Sequence, residues 1–197
     1  MTKRIFDLFF SFFGLIILSP FFLIISSLIP IDSRGPILFK QSRVGYKGKL
    51  FNLLKFRTMV RDADNKPTRL TTKNDSRITR LGKILRKYKI DELPQLLNVL
   101  KGDMSIVGPR PELPEYVELF RDDYDEILKV KPGITDAASI KFRNESELLD
   151  DSENTEKTYV NQILPQKIEL YQEYVKNRTL FSDLRLICLT IFHLTKK

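Results

Sequence analysis

From Leu8 to Ile31 the chain runs 24 residues without a charge, and six of them are phenylalanine: Phe9, Phe10, Phe12, Phe13, Phe21 and Phe22. As a helix, such a run is long enough to cross the hydrocarbon core of a bilayer, so the fold must offer it lipid or an unusually apolar cover. It is too long for the apolar part of a signal peptide, and no small-residue cleavage pattern follows it. Two features oppose a simple crossing. Ser19-Pro20 falls in the middle, where the proline removes one backbone donor and the serine hydroxyl can satisfy the freed carbonyl. Basic residues flank both ends, Lys3 and Arg4 before and Arg34, Lys40, Arg43, Lys47 and Lys49 after. Since basic flanks prefer the cytoplasmic side, both ends claim the same face. The expectation is a re-entrant membrane hairpin over residues 1–33, broken at Ser19 and Pro20, with a kinked spanning helix as the alternative.

Residues 34–197 are long enough to build one cytosolic domain with a real core. The formal charge of +8 is unevenly spread: residues 34–89 hold 17 Lys/Arg against 3 Asp/Glu, and residues 91–160 hold 8 against 17. That asymmetry points to a polyanion on one side, whether lipid headgroups, nucleic acid or a phosphorylated substrate. Cys188 and His193 are the only residues of their kinds. An internal disulfide is therefore impossible, and a Cys/His zinc site or a histidine-based triad has no basis. The short glycine-rich nucleotide signatures and the H-E-x-x-H zinc signature are absent too.

Residues 37–44 and 50–59 read as two strands around the turn Gly45-Tyr-Lys-Gly48. Strand alternation puts Lys55 and Arg57 on one face, either to grip a diphosphate or as a solvated edge. Val60 to Asp75 is polar and reads as a surface loop. Ile78, Leu81, Ile84, Leu85 and Tyr88 mark an amphipathic helix whose other face carries Arg80, Lys83 and Lys87, with Arg86 on the flank. Such a helix suits either an anionic membrane surface or an ordinary core. Glu112 to Val130 reads as an acidic helix, 144–158 as a polar acidic loop or short helix, and Pro165 to Asn177 as helix. Ser182 or Asp183 then caps an apolar helix from Leu184 to Leu194, too short to span.

The chemistry concentrates between Arg86 and Pro111. Asp91 and Glu92 stand just before Pro94, and Leu93, Leu96, Leu97 and Leu100 recur at helical spacing until Gly102. This places the carboxylates in a helix's first turn, where free N–H groups and the dipole favour ionisation and a nearby phosphate. An ionised aspartate beside an anion site is a candidate nucleophile. An ordinary helix start looks the same locally. Pro109-Arg110-Pro111 presents an arginine on a stiff segment, suited to phosphate or to a plain rigid loop.

With Asp91-Glu-Leu-Pro-Gln95, Asn98-Val-Leu-Lys-Gly-Asp-Met-Ser105 and Val107-Gly-Pro-Arg-Pro111 in this order, the chain resembles the bacterial sugar transferases, the monotopic phosphoglycosyl transferases. The likeness extends to Lys3-Arg-Ile-Phe-Asp7, Ser19-Pro20, Lys55-Phe-Arg-Thr-Met59, Lys131-Pro-Gly-Ile-Thr135 and the segment from Val175-Lys-Asn177 to Asp183. The resemblance implies transfer of a phospho-sugar from a UDP-sugar to polyprenyl (undecaprenyl) phosphate, with release of UMP. In such enzymes the aspartate matching Asp91 attacks the phosphorus next to the sugar. Glu92 completes an acidic dyad, and Mg2+ serves as cofactor at Asp91 and Glu92. Lys55, Arg57, Arg86 and Arg110 are implied phosphate and nucleotide contacts, with Arg143 and Asn144 further candidates. The implied fold is α+β and predominantly helical: a membrane-embedded re-entrant helix-break-helix, a compact cytosolic domain with interfacial amphipathic helices, and a small β-hairpin. The implied location is the cytoplasmic face of a bacterial inner membrane, with an anionic phospholipid surface as partner, no nucleic acid, and a homodimer left open. Asp136-Ala-Ala138 replaces the Gly and aromatic residue that many members carry after Pro-Gly-Ile-Thr, so sugar choice does not transfer. A membrane-attached phosphohydrolase using the same aspartate, and a non-enzymatic basic protein that binds anionic surfaces, are the competing readings.

Overall fold

The computed structural model describes residues 2–61, 70–72, 75–150 and 154–195. Most of the loop expected over Val60 to Asp75, and part of the 144–158 stretch, fall outside them. α1 (Thr2–Asp32) runs as one helix through Pro20 and Pro30, about 46 Å at the standard rise per residue. The expected break at Ser19-Pro20 does not interrupt it. Pro20 cannot donate to the carbonyl of Ile16, and the Ser19 hydroxyl donates to that oxygen instead, at 2.7 Å.

The remaining elements follow in short pieces. β1 (Leu38–Val44) and β2 (Leu50–Phe56) form the expected antiparallel hairpin, with Leu38 opposite Phe56 and Val44 opposite Leu50. After α2 (Arg80–Lys87) and α3 (Gln95–Lys101), β3 (Ser105–Val107) pairs in parallel with β4 (Gly133–Thr135). There the two main chains nearly touch, since a Cβ on Gly133 would stand 2.1 Å from the Gly108 nitrogen. The single acidic helix expected from Glu112 to Val130 is two, α4 (Pro114–Leu119) and α5 (Arg121–Ile127), because Phe120 leaves helical geometry at φ −122°, ψ 39°. α6 (Ala137–Lys141), α7 (Glu145–Asp150) and α8 (Thr155–Thr158) lead through a π-helical turn, Tyr159–Ile163, into α9 (Leu164–Asn177) and α10 (Leu180–Thr195). The result is mostly helical, as expected, with the small parallel sheet β3–β4 in addition to the expected hairpin.

Over its first turns α1 buries polar side chains, and along most of its length it exposes apolar ones. Asp7 and Ser11 are 2% and 0% exposed, whereas Ile17, Leu23 and Ile31 are at least 70% exposed. A helix on a water-facing surface shows the reverse arrangement. Its start is bound by polar contacts. Asp7 accepts the Ser105 hydroxyl and the Ile106 N–H, both at 3.0 Å, and Lys3 pairs with buried Asp183 of α10. Arg4 donates to the carbonyls of Val99 (2.6 Å) and Leu100 (3.0 Å) in the last turn of α3. Its far end is bound by packing, as Ile25 and Ile29 share a core with Phe56 and Leu85. Both ends of α1 thus rest on the same globular body.

β2 serves two cores at once: Phe56 belongs to the cluster under α1, and Leu53 packs with Val99 and Met104. The largest core lies among α4, α5, α6 and α9 and includes Tyr116, Tyr124, Ile127, Leu164, Ile168 and Tyr171. Asn98 fixes α3 to the edge of β2, its side chain accepting from Leu54 N–H at 3.0 Å and donating to the Asn52 carbonyl at 2.8 Å. It completes the edge as another strand would, and so sets α3 and the turn before it beside Lys55. Asn98→Ala leaves both strand groups without that partner, and we expect it to lower stability by about 2–4 kcal/mol, read as a fall in Tm of the detergent-solubilised protein. A Tm within 1 °C of the parent (about 0.3 kcal/mol or less for a chain of this size) would refute this role.

Candidate active site

The two carboxylates stand on a turn of their own. Lys89 reverses the chain after α2 in the left-handed region (φ 56°, ψ 21°), a conformation that costs a non-glycine residue energy. Ile90–Glu92 then forms a 3-10 turn, and Pro94 precedes α3. Asp91 and Glu92 therefore precede α3, where the sequence placed them in its first turn. Two of the first amides of that helix are already used, Leu96 N–H on the Leu93 carbonyl and Leu97 N–H on that of Pro94. Side chains, rather than a helix dipole, supply the positive environment.

Those side chains come from three segments. Lys55 of β2 donates to Glu92 Oε1 at 2.8 Å. Arg110 grips the same carboxylate with both ends of its fork, Nη2 on Oε1 at 2.5 Å and Nη1 on Oε2 at 3.3 Å. Arg86 of α2 is held by the Thr58 hydroxyl at 2.8 Å and acts electrostatically on Asp91. Burial alone would raise the Glu92 carboxyl, but Arg110 and Lys55 overcome it and hold Glu92 well below the usual carboxylate range. Asp91 goes the other way: burial, then the neighbouring Glu92 charge, push its carboxyl up against the pull of Lys55, Arg86 and Lys89. Burial lowers the Lys55 ammonium, and Glu92 raises the Arg110 guanidinium. One oxygen in this cluster, Asp91 Oδ1, is buried with no hydrogen-bond partner.

Of the residues singled out in the sequence, the fold assembles Lys55, Arg86, Asp91, Glu92 and Arg110. Arg57 lies elsewhere, donating to the carbonyls of Ser33 and, at 3.4 Å, Ile29 at the end of α1; past Phe56 the strand has ended and alternation no longer governs. Arg143 keeps a buried Nε without a partner, and Asn144 is exposed with its carbonyl accepting from Glu147 and Leu148. Asn98, Arg43, Glu112 and Tyr159 were missed. Only Glu112, directly after the Pro-Arg-Pro segment, carried a signal in its position. Asp136, noted only as a departure, is buried and caps α6 through Ser139, where its charge raises Arg110. Among the described residues no group of three or more His, Cys, Asp or Glu is placed to hold a metal. The bare Asp91 oxygen is nevertheless the hard ligand type Mg2+ takes, and that ion commonly needs one or two protein carboxylates, with phosphate and water completing its shell. Glu92 already accepts from Lys55 and Arg110.

The sequence profile of the bacterial sugar transferases matches residues 1–197. The chain is 42% identical over 191 residues to an uncharacterized sugar transferase, EpsL, of Bacillus subtilis (strain 168), covering 97% of this chain and 86% of that one. It is 39% identical over 195 residues to the UDP-glucose:undecaprenyl-phosphate glucose-1-phosphate transferase of Klebsiella pneumoniae, covering 96% of this chain and 39% of that protein. The exopolysaccharide production protein ExoY of Sinorhizobium fredii (strain NBRC 101917 / NGR234) is 34% identical over 206 residues, covering 97% and 84%. The chain therefore spans most of two of these relatives and about two fifths of the Klebsiella transferase.

The Glu92 shift sets a sign that can be measured. A carboxylate held lower in the folded chain than in the unfolded one contributes fully above its unfolded value, about 4.5, and loses that contribution as pH falls through the folded value. Asp91, being raised, contributes with the opposite slope. Glu92→Gln is expected to lower Tm at pH 7 and to flatten the loss of Tm on acidification below pH 4.5. An acid limb as steep as the parent's would show that Glu92 does not carry it.

Proposed function

The chain belongs to the bacterial sugar transferase family, and on that premise we propose that it moves a phospho-sugar from a UDP-sugar to polyprenyl (undecaprenyl) phosphate and releases UMP. The observation that carries this reading is one unpartnered buried oxygen, Asp91 Oδ1, on a turn that Lys55, Arg86 and Arg110 surround with positive charge. Nucleophile and anion site are thereby within one cluster, as phosphoryl transfer requires.

In the first step the Asp91 carboxylate attacks the phosphorus bearing the sugar. A new oxygen–phosphorus bond forms, the diphosphate bond breaks, and UMP leaves with the bridging oxygen. In the second, a phosphate oxygen of the polyprenyl phosphate attacks the aspartyl phospho-sugar, Asp91 is released as carboxylate, and the sugar remains on a polyprenyl diphosphate. Lys55 and Arg110 release Glu92 to meet the phosphates, and Arg86 offsets charge at Asp91. Mg2+, held by Asp91 Oδ1 and by Glu92 once freed, would neutralise phosphate oxygens so that one anion can approach another. Arg143 and Asn144 are the remaining candidates for donor contacts.

The proposed location rests on α1. Its outward face is apolar along its length, while Lys3, Arg4 and Asp7 at one end and Ile25 and Ile29 at the other hold the same body. That supports monotopic attachment, and the basic residues on both flanks of the apolar run support the cytoplasmic face of the inner membrane as its side. Exposed Ile84 and Tyr88 beside Lys83 and Lys87 on α2 support contact with an anionic lipid surface.

Intact-protein mass spectrometry after adding a UDP-sugar without acceptor is expected to show a gain equal to one phospho-sugar. Polyprenyl phosphate should discharge it, moving radiolabelled sugar into the organic phase. Asp91→Asn is expected to lose both the adduct and turnover, by at least a thousandfold. Label passing to water with no lipid product would instead indicate a phosphohydrolase. An active Asp91→Asn protein would end the assignment.

A further inference from the structure

Glu112 follows the Pro109-Arg110-Pro111 segment directly, and its carboxylate is buried. Oε1 accepts the Tyr159 hydroxyl at 2.9 Å, and Oε2 faces Arg43 Nη1 at 3.4 Å. The same Nη1 donates to the Pro111 carbonyl at 3.2 Å, and the Val44 N–H bonds the Glu112 carbonyl at 3.0 Å. The segment is anchored at its other end by β4, with Gly108 N–H on the Thr135 carbonyl (3.1 Å) and Gly133 N–H on that of Pro109 (2.9 Å). Proline fixes φ on both sides of Arg110, so fewer torsions are left to absorb a displacement of either anchor before it reaches the arginine.

The exit anchor continues outward. Lys167 Nζ lies 3.4 Å from the Tyr159 oxygen, 4.8 Å from its ring centre and 2.5 Å from Glu145 Oε2. An ammonium has donors and no acceptor, so Lys167 donates to the phenol oxygen and directs the phenol's own proton to Glu112. The backbone is built to permit this. Residues eight apart in an α-helix point about 80° away from each other, whereas Tyr159 and Lys167 face one another because the turn Tyr159–Ile163 is π-helical. Its extra residue removes most of that offset. π turns are rare and concentrate at functional sites. Buried ionic chains are a weak source of stability, since apolar side chains of like volume often do as well. A rare backbone turn and a costly polar chain here end on the residue after Arg110's segment.

We propose that Tyr159 is a positioning residue for phosphoryl transfer: through Glu112 it fixes the exit of the Pro-Arg-Pro segment, and with it the aim of Arg110 at Glu92 and at the phosphate of a nucleoside diphosphate donor. The inference rests on the transferase reading for its substrate class and on the hydrogen bonds above for its geometry.

The test is a double-mutant cycle on the full chain in detergent with a UDP-sugar and polyprenyl phosphate. Tyr159→Phe keeps the ring and the Lys167 contact and removes only the hydroxyl. Its kcat is expected to fall about tenfold in the parent and less than twofold in an Arg110→Lys background, where the aimed fork is already lost. An equal fall in both backgrounds, or none in the parent, overturns the proposal, because a merely structural loss does not depend on Arg110. Glu112→Gln enters the same cycle if Tyr159→Phe accumulates poorly. Binding of inorganic pyrophosphate by calorimetry runs the cycle without chemistry. If pyrophosphate affinity shows the Arg110-dependent loss while no sugar is transferred, the substrate reading fails and the positioning role stands. If sugar is transferred and both cycles are additive, the positioning role fails alone.

Discussion

The ion triad of Lys55, Glu92 and Arg110 joins a β-strand, a 3-10 turn and a proline-flanked loop that lie 37 and 18 residues apart along the chain. Taking three charges out of water is costly, and the arrangement holds because Glu92 answers both cations with short hydrogen bonds. Removing one partner of such a buried pair typically costs about 3–5 kcal/mol, since the other charge is left stranded. The triad is also a chemical constraint. Lys55 and Arg110 already hold an anion, so Glu92 offsets part of the positive charge they bring to the cluster. Beside it, Asp91 keeps one buried oxygen without a hydrogen-bond partner.

The support for this triad begins at α1. Arg4 closes the end of α3, and Asp7 holds the start of β3. Those elements lead back to the acidic turn and forward to the Pro-Arg-Pro segment. Tyr174 extends the same fastening, its hydroxyl placed 3.1 Å from the Val107 carbonyl and 2.8 Å from Asp183, which also takes Lys3. The polar inner face of an otherwise greasy helix is therefore part of the scaffold of the site. Its outer face answers only to the apolar surroundings it requires.

Elements governed by near neighbours were readable. The hairpin follows from alternation around Gly45 and Gly48, α2 from its apolar spacing, and α9 nearly to its ends. The proline repair was also legible, because Ser19 and the Ile16 carbonyl lie within one turn. Three features were not. The acidic stretch after Glu112 keeps helical composition through Phe120, but packing splits it there. Asp91-Glu92-Leu93-Pro94 has the pattern of a helix start, yet the left-handed Lys89 sets it apart from α3. Asn98 looks like a flaw in an apolar helix, and its partners are main-chain groups on a strand more than forty residues earlier.

Local pattern by itself determined the apolar helix, the hairpin, the basic segment beside a pair of carboxylates, and the family to which those motifs point. Only the tertiary structure decided which carboxylate binds the cations, which cation of the Lys55 and Arg57 pair leaves the site, and that Glu112 and Tyr159 stand behind Arg110. The physical reason is range. Helix and strand patterns reflect neighbours a few residues away, whereas a buried charge responds to whatever the fold brings within a few ångströms, and that distance is written in no single segment.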